Sequence, residues 1–166
     1  MALCYQATGC PPPCYNPFTP CPTPCPPPPP AFKASALTNA TLPLGTNQQV
    51  LFPQVVLANP AYDPTVSAFQ APAAGTYSFT ATVTWSTAVA ATIFTLSLLK
   101  NGSPSGFSAT TTSNAIGNYV TAVTGCISLN ANDTISVNAL ANNACTILGN
   151  NPFPAPITSF QGFRVC

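Results

Sequence analysis

The sequence predicts an all-β fold, a sandwich or jelly roll of short antiparallel strands, preceded by an extended Pro/Cys-rich N-terminal arm. Three observations carry that prediction. Gly75–Ser86 reads GTYSFTATVTWS, in which Tyr77, Phe79, Ala81, Val83 and Trp85 alternate strictly with Ser and Thr, the period of a half-buried strand. The same alternation returns at Phe94, Leu96 and Leu98 and again at Ile135, Val137 and Ala139. No window has convincing helical periodicity, and turn residues separate the alternating runs, as in sandwiches and jelly rolls.

In chain order, residues 1–30 form the arm and residues 31–166 the head. The arm holds five of the chain's eight cysteines, at Cys4, Cys10, Cys14, Cys21 and Cys25, among long proline runs. Proline removes backbone donors and fixes φ, so this segment builds neither a helix nor a central strand. Pro-rich chain favours polyproline II, and residues 12–30 would span on the order of 55 Å in that form. Tyr15 and Phe18, on either side of Asn16-Pro17, read either as an anchor that fills a pocket elsewhere or as rings packed on their own head. The head begins with expected strands near Phe32–Asn39, Val50–Leu57 and Ser67–Gln70. The alternating Gly75–Ser86 and Phe94–Lys100 follow, the latter closed by the Asn101-Gly102 turn signal. Tyr119–Leu129, Thr134–Ala139 and Ile157–Val165 complete the series.

Composition narrows the function. The ionisable side chains besides Cys and Tyr are Lys33, Lys100, Arg164, Asp63 and Asp133, with no His and no Glu. General acid–base catalysis needs groups that titrate near neutral pH, and a cysteine nucleophile needs a base beside it. An enzyme is therefore not expected, and neither is a cofactor. Three cations do not neutralise a phosphate backbone, which argues against nucleic acid as a partner. The most apolar stretch, Ala88–Leu99, is interrupted by hydroxyl residues and too short to span a bilayer, so membrane insertion is not expected. A surface this poor in charge favours association; it also suits an extracellular β-domain kept soluble by Ser, Thr and Asn. No charged and apolar leader precedes Cys4, whereas the cysteines favour an oxidising setting. The two agree if the protein is exposed by lysis or release, or if a leader has been removed.

The cysteine spacing restricts pairing. Cys10 and Cys14 flank three prolines, and in polyproline II their Cα atoms stand about 12 Å apart, beyond the roughly 7 Å that a disulfide tolerates. Cys21 and Cys25, around Pro22-Thr23-Pro24, face the same obstacle. Partners from another arm, the head or a neighbouring molecule are expected instead. A zinc site on Cys10, Cys14, Cys21 and Cys25 is the rival reading, opposed by prolines that prevent the tight turns it needs. Cys166, at the end of the sequence, joins the arm cysteines as a candidate for interchain disulfides. Of Cys126, Cys145 and Cys166, two read equally as paired or buried thiols.

The order of motifs carries a resemblance. Phe69-Gln-Ala-Pro72-Ala-Ala-Gly75-Thr-Tyr77-Ser-Phe79 resembles the opening of the globular head of complement one-q and its relatives in the tumour necrosis factor superfamily. Asn59–Asp63 with Tyr62 resembles the approach to that motif, and Leu99-Lys100-Asn101-Gly102 the turn after the next long strand. Gly125-Cys126-Ile127-Ser128-Leu129, then Asn132-Asp133-Thr134-Ile135, resembles a later family step, with Asn132 where glycine is common. Phe160-Gln161-Gly162-Phe163 resembles the terminal strand. The resemblance implies a TNF-like jelly roll of about ten strands that forms a homotrimer, without catalysis. The collagen stalk and the acidic calcium cluster of some relatives are missing from the pattern.

These readings lead to one expectation of function: a structural subunit of a self-assembling fibre on the extracellular surface of a bacterial spore or cell. By analogy with bacterial exosporium and endospore-appendage proteins, the arm would join trimers head to tail. Tyr15 and Phe18 would dock and the cysteines would lock the joint, with an anchoring protein at the base and a tip protein as further partners. The alternative is a terminal trimeric adhesin or receptor-binding head, anchored to a spore coat, stalk or phage fibre. Self-assembly discriminates the two.

Overall fold

The computed structural model describes residues 31–149 and 158–165. Thirteen strands occur among them: β1 (Ala31–Ser35), β2 (Ala40–Leu42), β3 (Gln48–Gln49), β4 (Gln54–Leu57), β5 (Tyr62–Asp63), β6 (Ala68–Gln70), β7 (Gly75–Thr87), β8 (Ile93–Lys100), β9 (Ser103–Thr112), β10 (Gly117–Leu129), β11 (Thr134–Ala141), β12 (Cys145–Ile147) and β13 (Ser159–Arg164). No helix among the described residues is long and apolar enough to cross a membrane.

The strands make two facing sheets. In the first, the order is β2-β12-β7-β13-β1-β4, with β10 on the other flank of β7; in the second it is β5-β6-β11-β8-β9, with β3 also on β11. The β7–β10 ladder is antiparallel throughout, from Gly75↔Leu129 to Thr87↔Gly117. On its opposite flank β7 pairs with β13 from Tyr77 to Thr82 and with β12 at Trp85 and Ser86. Its alternation therefore has a mechanical cause. Every second side chain of a strand centred in one sheet must face the other sheet.

That inner face forms the core. Tyr77, Phe79, Ala81, Val83 and Trp85 of β7 are fully buried, as are Phe94, Leu96 and Leu98 of β8 and Ile135, Val137 and Ala139 of β11. Aromatic rings tie the sheets together. Phe32 of β1 stacks on Phe69 of β6 at 5.3 Å and on Tyr62 of β5 at 4.6 Å, and meets Phe160 of β13 edge-on at 4.9 Å. A second group joins Trp85, Phe94 and Tyr119, with Trp85 and Phe94 stacked at 5.0 Å. Each ring buried on folding stabilises by about 1.5–3 kcal/mol, as does each buried Val, Leu or Ile side chain of the same core.

Three differences from the sequence reading have local causes. Strand β9 was not expected; its sequence SPSGFSATTT contains a proline and a glycine, and it forms the edge of its sheet, so it needs little apolar surface. The expected strand at Val50–Leu57 is confined to Gln54–Leu57, because Pro53 interrupts it while Val50 and Phe52 turn into the core. The expected strand at Phe32–Asn39 ends at Ser35, and the chain resumes pairing at Ala40 on β12.

Candidate assembly surfaces

The outer face of the first sheet is a regular surface built across β10, β7 and β13. Its rows follow from the register: Cys126↔Ser78↔Phe163, Thr124↔Thr80↔Gln161 and Ala122↔Thr82↔Ser159. Thr80 and Thr124 share a hydrogen bond, Oγ1 to Oγ1, at 3.1 Å. Lys33, opposite Gln161 on β1, supplies the face's charge. Hydroxyls of this kind can exchange water for partner hydroxyls on contact, and away from Lys33 such a surface carries no desolvation cost of buried charge. Phe163 adds a large apolar side chain, 50% exposed.

Two other exposed apolar groups flank this face. Ile116, at the β9–β10 turn, is 71% exposed, and Val120 follows it on β10. Tyr119 holds that turn, since its hydroxyl donates to Ala115 O at 3.0 Å and accepts from Ala115 N at 2.9 Å. On the far edge of the same sheet, all four residues of β4 are exposed, Val55, Val56 and Leu57 among them.

The two carboxylates serve turns. Asp133 accepts from Lys100 Nζ at 2.9 Å, from Asn101 Nδ2 at 2.8 Å and from Asn130 N at 2.8 Å. The hydrogen bonds from Asn101 and Lys100, ahead of that from Asn130, lower its carboxyl to a pKa of about 2. Asn101 Oδ1 in turn accepts from Thr134 N at 2.8 Å. Asp63 accepts from the Thr65 hydroxyl at 2.6 Å and from its amide at 2.8 Å, which lower its pKa. These groups close loops and stay ionised at neutral pH. The Tyr62 hydroxyl is pushed up to about 12 by burial and donates to Phe52 O at 3.0 Å. No group of three or more His, Cys, Asp or Glu side chains able to hold a metal ion occurs among the described residues.

The motif residues prove mostly architectural. Phe69, Tyr77, Phe79 and Phe160 are buried in the core, Gly75 opens β7, and Tyr77 donates its hydroxyl to Ala73 O at 2.8 Å. Gly125 and Gly162 lie under rings: a Cβ on the first would meet Phe107 Cγ at 2.5 Å, and on the second Phe79 Cδ1 at 2.5 Å. Pro72 and Asn132 line an open cleft of about 350 Å³ together with Asn59, Pro60, Ala61, Gln70 and Ala71. Phe163 alone of these motif aromatics points outward.

Cys126 is an exposed free thiol on β10 and Cys145 a buried one on β12, whose burial raises its pKa to about 11. Tyr15, Phe18, Cys4, Cys10, Cys14, Cys21, Cys25 and Cys166 lie outside the described residues. Sequence reasoning passed over Ile116, Val120 and the exposed apolar run of β4. Those residues look like core until the topology shows which edges stay open; the interruption at Pro53 was the one available hint.

Comparison with known proteins bears on the fold. No curated protein matches the chain significantly. Among solved structures, the globular domain of zebrafish complement 1qA is similar with a TM-score of 0.57 at 17% identity, covering 82% of this chain and 98% of that one. The Eiger TNF of S. frugiperda gives 0.61 at 14%, with 84% and 94% covered. Murine APRIL gives 0.61 at 15%, with 82% and 99% covered. At these identities the likeness shows the two-sheet jelly roll of C1q and TNF type. A family model described as the C1q domain matches residues 31–163, most of the sequence, and this chain therefore belongs to the C1q domain family.

Proposed function

We propose that this chain is the structural subunit of a self-assembling extracellular fibre on a bacterial spore or cell, built from homotrimers joined head to tail by the N-terminal arm. C1q-type domains are structural or ligand-binding modules and are typically trimeric. The observation that carries the reading is the outer face of the first sheet, a broad array of hydroxyls with Phe163 half-exposed and Lys33 as its charge. Such a face suits close contact with a second copy. The arm would then link one trimer to the next, Tyr15 and Phe18 would anchor it, and disulfides from its cysteines would lock the joint. A head-to-tail contact is heterologous and yields an open filament when it includes a translation. A stiff arm loses little entropy on docking.

Negative-stain microscopy of the purified chain tests this. Long filaments are the expected result, and deleting residues 1–30 is expected to leave soluble trimers. Discrete trimers of the intact chain at every concentration would sink the fibre and support the terminal-head alternative. Filaments that survive the deletion would move the joint from the arm to the heads.

A further inference from the structure

We propose that the open edge of β4 is a docking site for residues 1–9 of a neighbouring subunit, which add a strand to it. The inference rests on the fibre reading and names the edge and the segment that would join its subunits. Strand β4 ends the first sheet: it pairs with β1 on one side and has no strand on the other among the described residues. Its side chains are bare as well, with Val56 61% and Leu57 51% exposed, and Leu51 just ahead at 58%. Edge strands are commonly protected by charge, proline or a bulge. Gln54–Leu57 carries no charge and no proline, and the bulge against Lys33 and Ala34 lies on the paired side. An apolar edge left in this state invites a strand.

The occupant follows from hydrogen-bond chemistry and reach. Adding a strand needs consecutive backbone donors. Prolines interrupt the donors throughout residues 11–30, whereas residues 1–9, MALCYQATG, have none. That segment is uncharged, like β4, and includes the strand-favouring Tyr5 and Thr8. The spacer between Cys10 and Pro30 reaches about 60 Å in polyproline geometry. The longest strands of the head have 13 residues, which is about 40 Å. A spacer held in that geometry would deliver residues 1–9 past their own head to a neighbour.

Hydrogen–deuterium exchange on the assembled full-length chain tests the proposal. Amides of residues 54–57 are expected to exchange about tenfold slower or more than in a chain lacking residues 2–9, with the shortened chain still trimeric by light scattering. Equal exchange in the two chains, or loss of trimers on the deletion, overturns it. A second arm uses the full-length double variant Val56→Asp, Leu57→Asp, whose sites are exposed in the folded head. Trimers without filaments are expected; unaltered filaments, or loss of trimers, assign β4 to no joint or to contacts within the trimer and overturn the proposal. The fibre reading fails separately. Filaments that form with β4 exchange insensitive to residues 2–9 remove this inference alone, whereas an intact chain that remains trimeric with β4 unprotected removes both.

Discussion

Asn132 explains a departure from the family pattern at the level of a single backbone angle. Its φ is +71°, the left-handed region that glycine enters freely and asparagine tolerates better than other side chains. The position asks for a permissive backbone, and asparagine meets the same demand as the glycine common there. Asn132→Gly should therefore be close to neutral in a thermal melt, while Asn132→Val should cost about 1–2 kcal/mol. A neutral valine would show that the turn relaxes. Gly162 makes a different demand, for space. Its missing Cβ is replaced by the ring of Phe79 at 2.5 Å, and Phe79 is itself fully buried. Gly162→Ala should destabilise by about 1–3 kcal/mol through overpacking. Gly125→Ala should cost less, because Phe107 is only partly buried and has room to shift.

Among the elements, the strands legible in the sequence were those with both faces defined. β7, β8 and β11 sit inside their sheets, and alternation followed directly from facing a core on one side and solvent on the other. Edge elements were harder to read. Phe107 of β9 is half-buried among hydroxyl residues, and β4 carries valines and leucine that face outward; in both, composition says core or loop while position says edge. The same limit applied to the assembly surfaces. All the motif aromatics but Phe163 hold the interior, and exposure of β4 depends on long-range pairing that no local window contains. The turn between β10 and β11 was more transparent, and it gives a pH prediction. Asp133 has a folded pKa of about 2, below the unfolded value of about 3.9. Its stabilisation is therefore fully present above about pH 4 and is lost as pH falls toward about 2. Thermal melts over that window should show a falling Tm, and Asp133→Asn should flatten the fall and lower the Tm at neutral pH. The residual slope belongs to Asp63, whose carboxyl is also lowered. A variant with an unchanged slope would remove Asp133 from the explanation.

For the molecule as a whole, covalent locking is the property most cheaply tested. Cys145 is buried and Cys126 is exposed on the outer sheet face, so Cys126 is the described thiol that a neighbouring chain can reach without unfolding. Denaturing gels of the assembled protein should give a ladder that collapses to one band with reductant; a single band under both conditions would leave the joints noncovalent. The topology has a further consequence, for the timing of synthesis. β1, the first described strand, pairs along its full length with β13, the last described strand of the head. β13 also occupies the flank of β7 that seats β1 in the sheet. The leading strand must therefore wait unpaired on that side until β13 has been synthesised, and closing so long a loop is slow. The head matures only once its final strand has left the ribosome, so a nascent chain offers its proline-rich front long before it has a finished sheet edge to receive another.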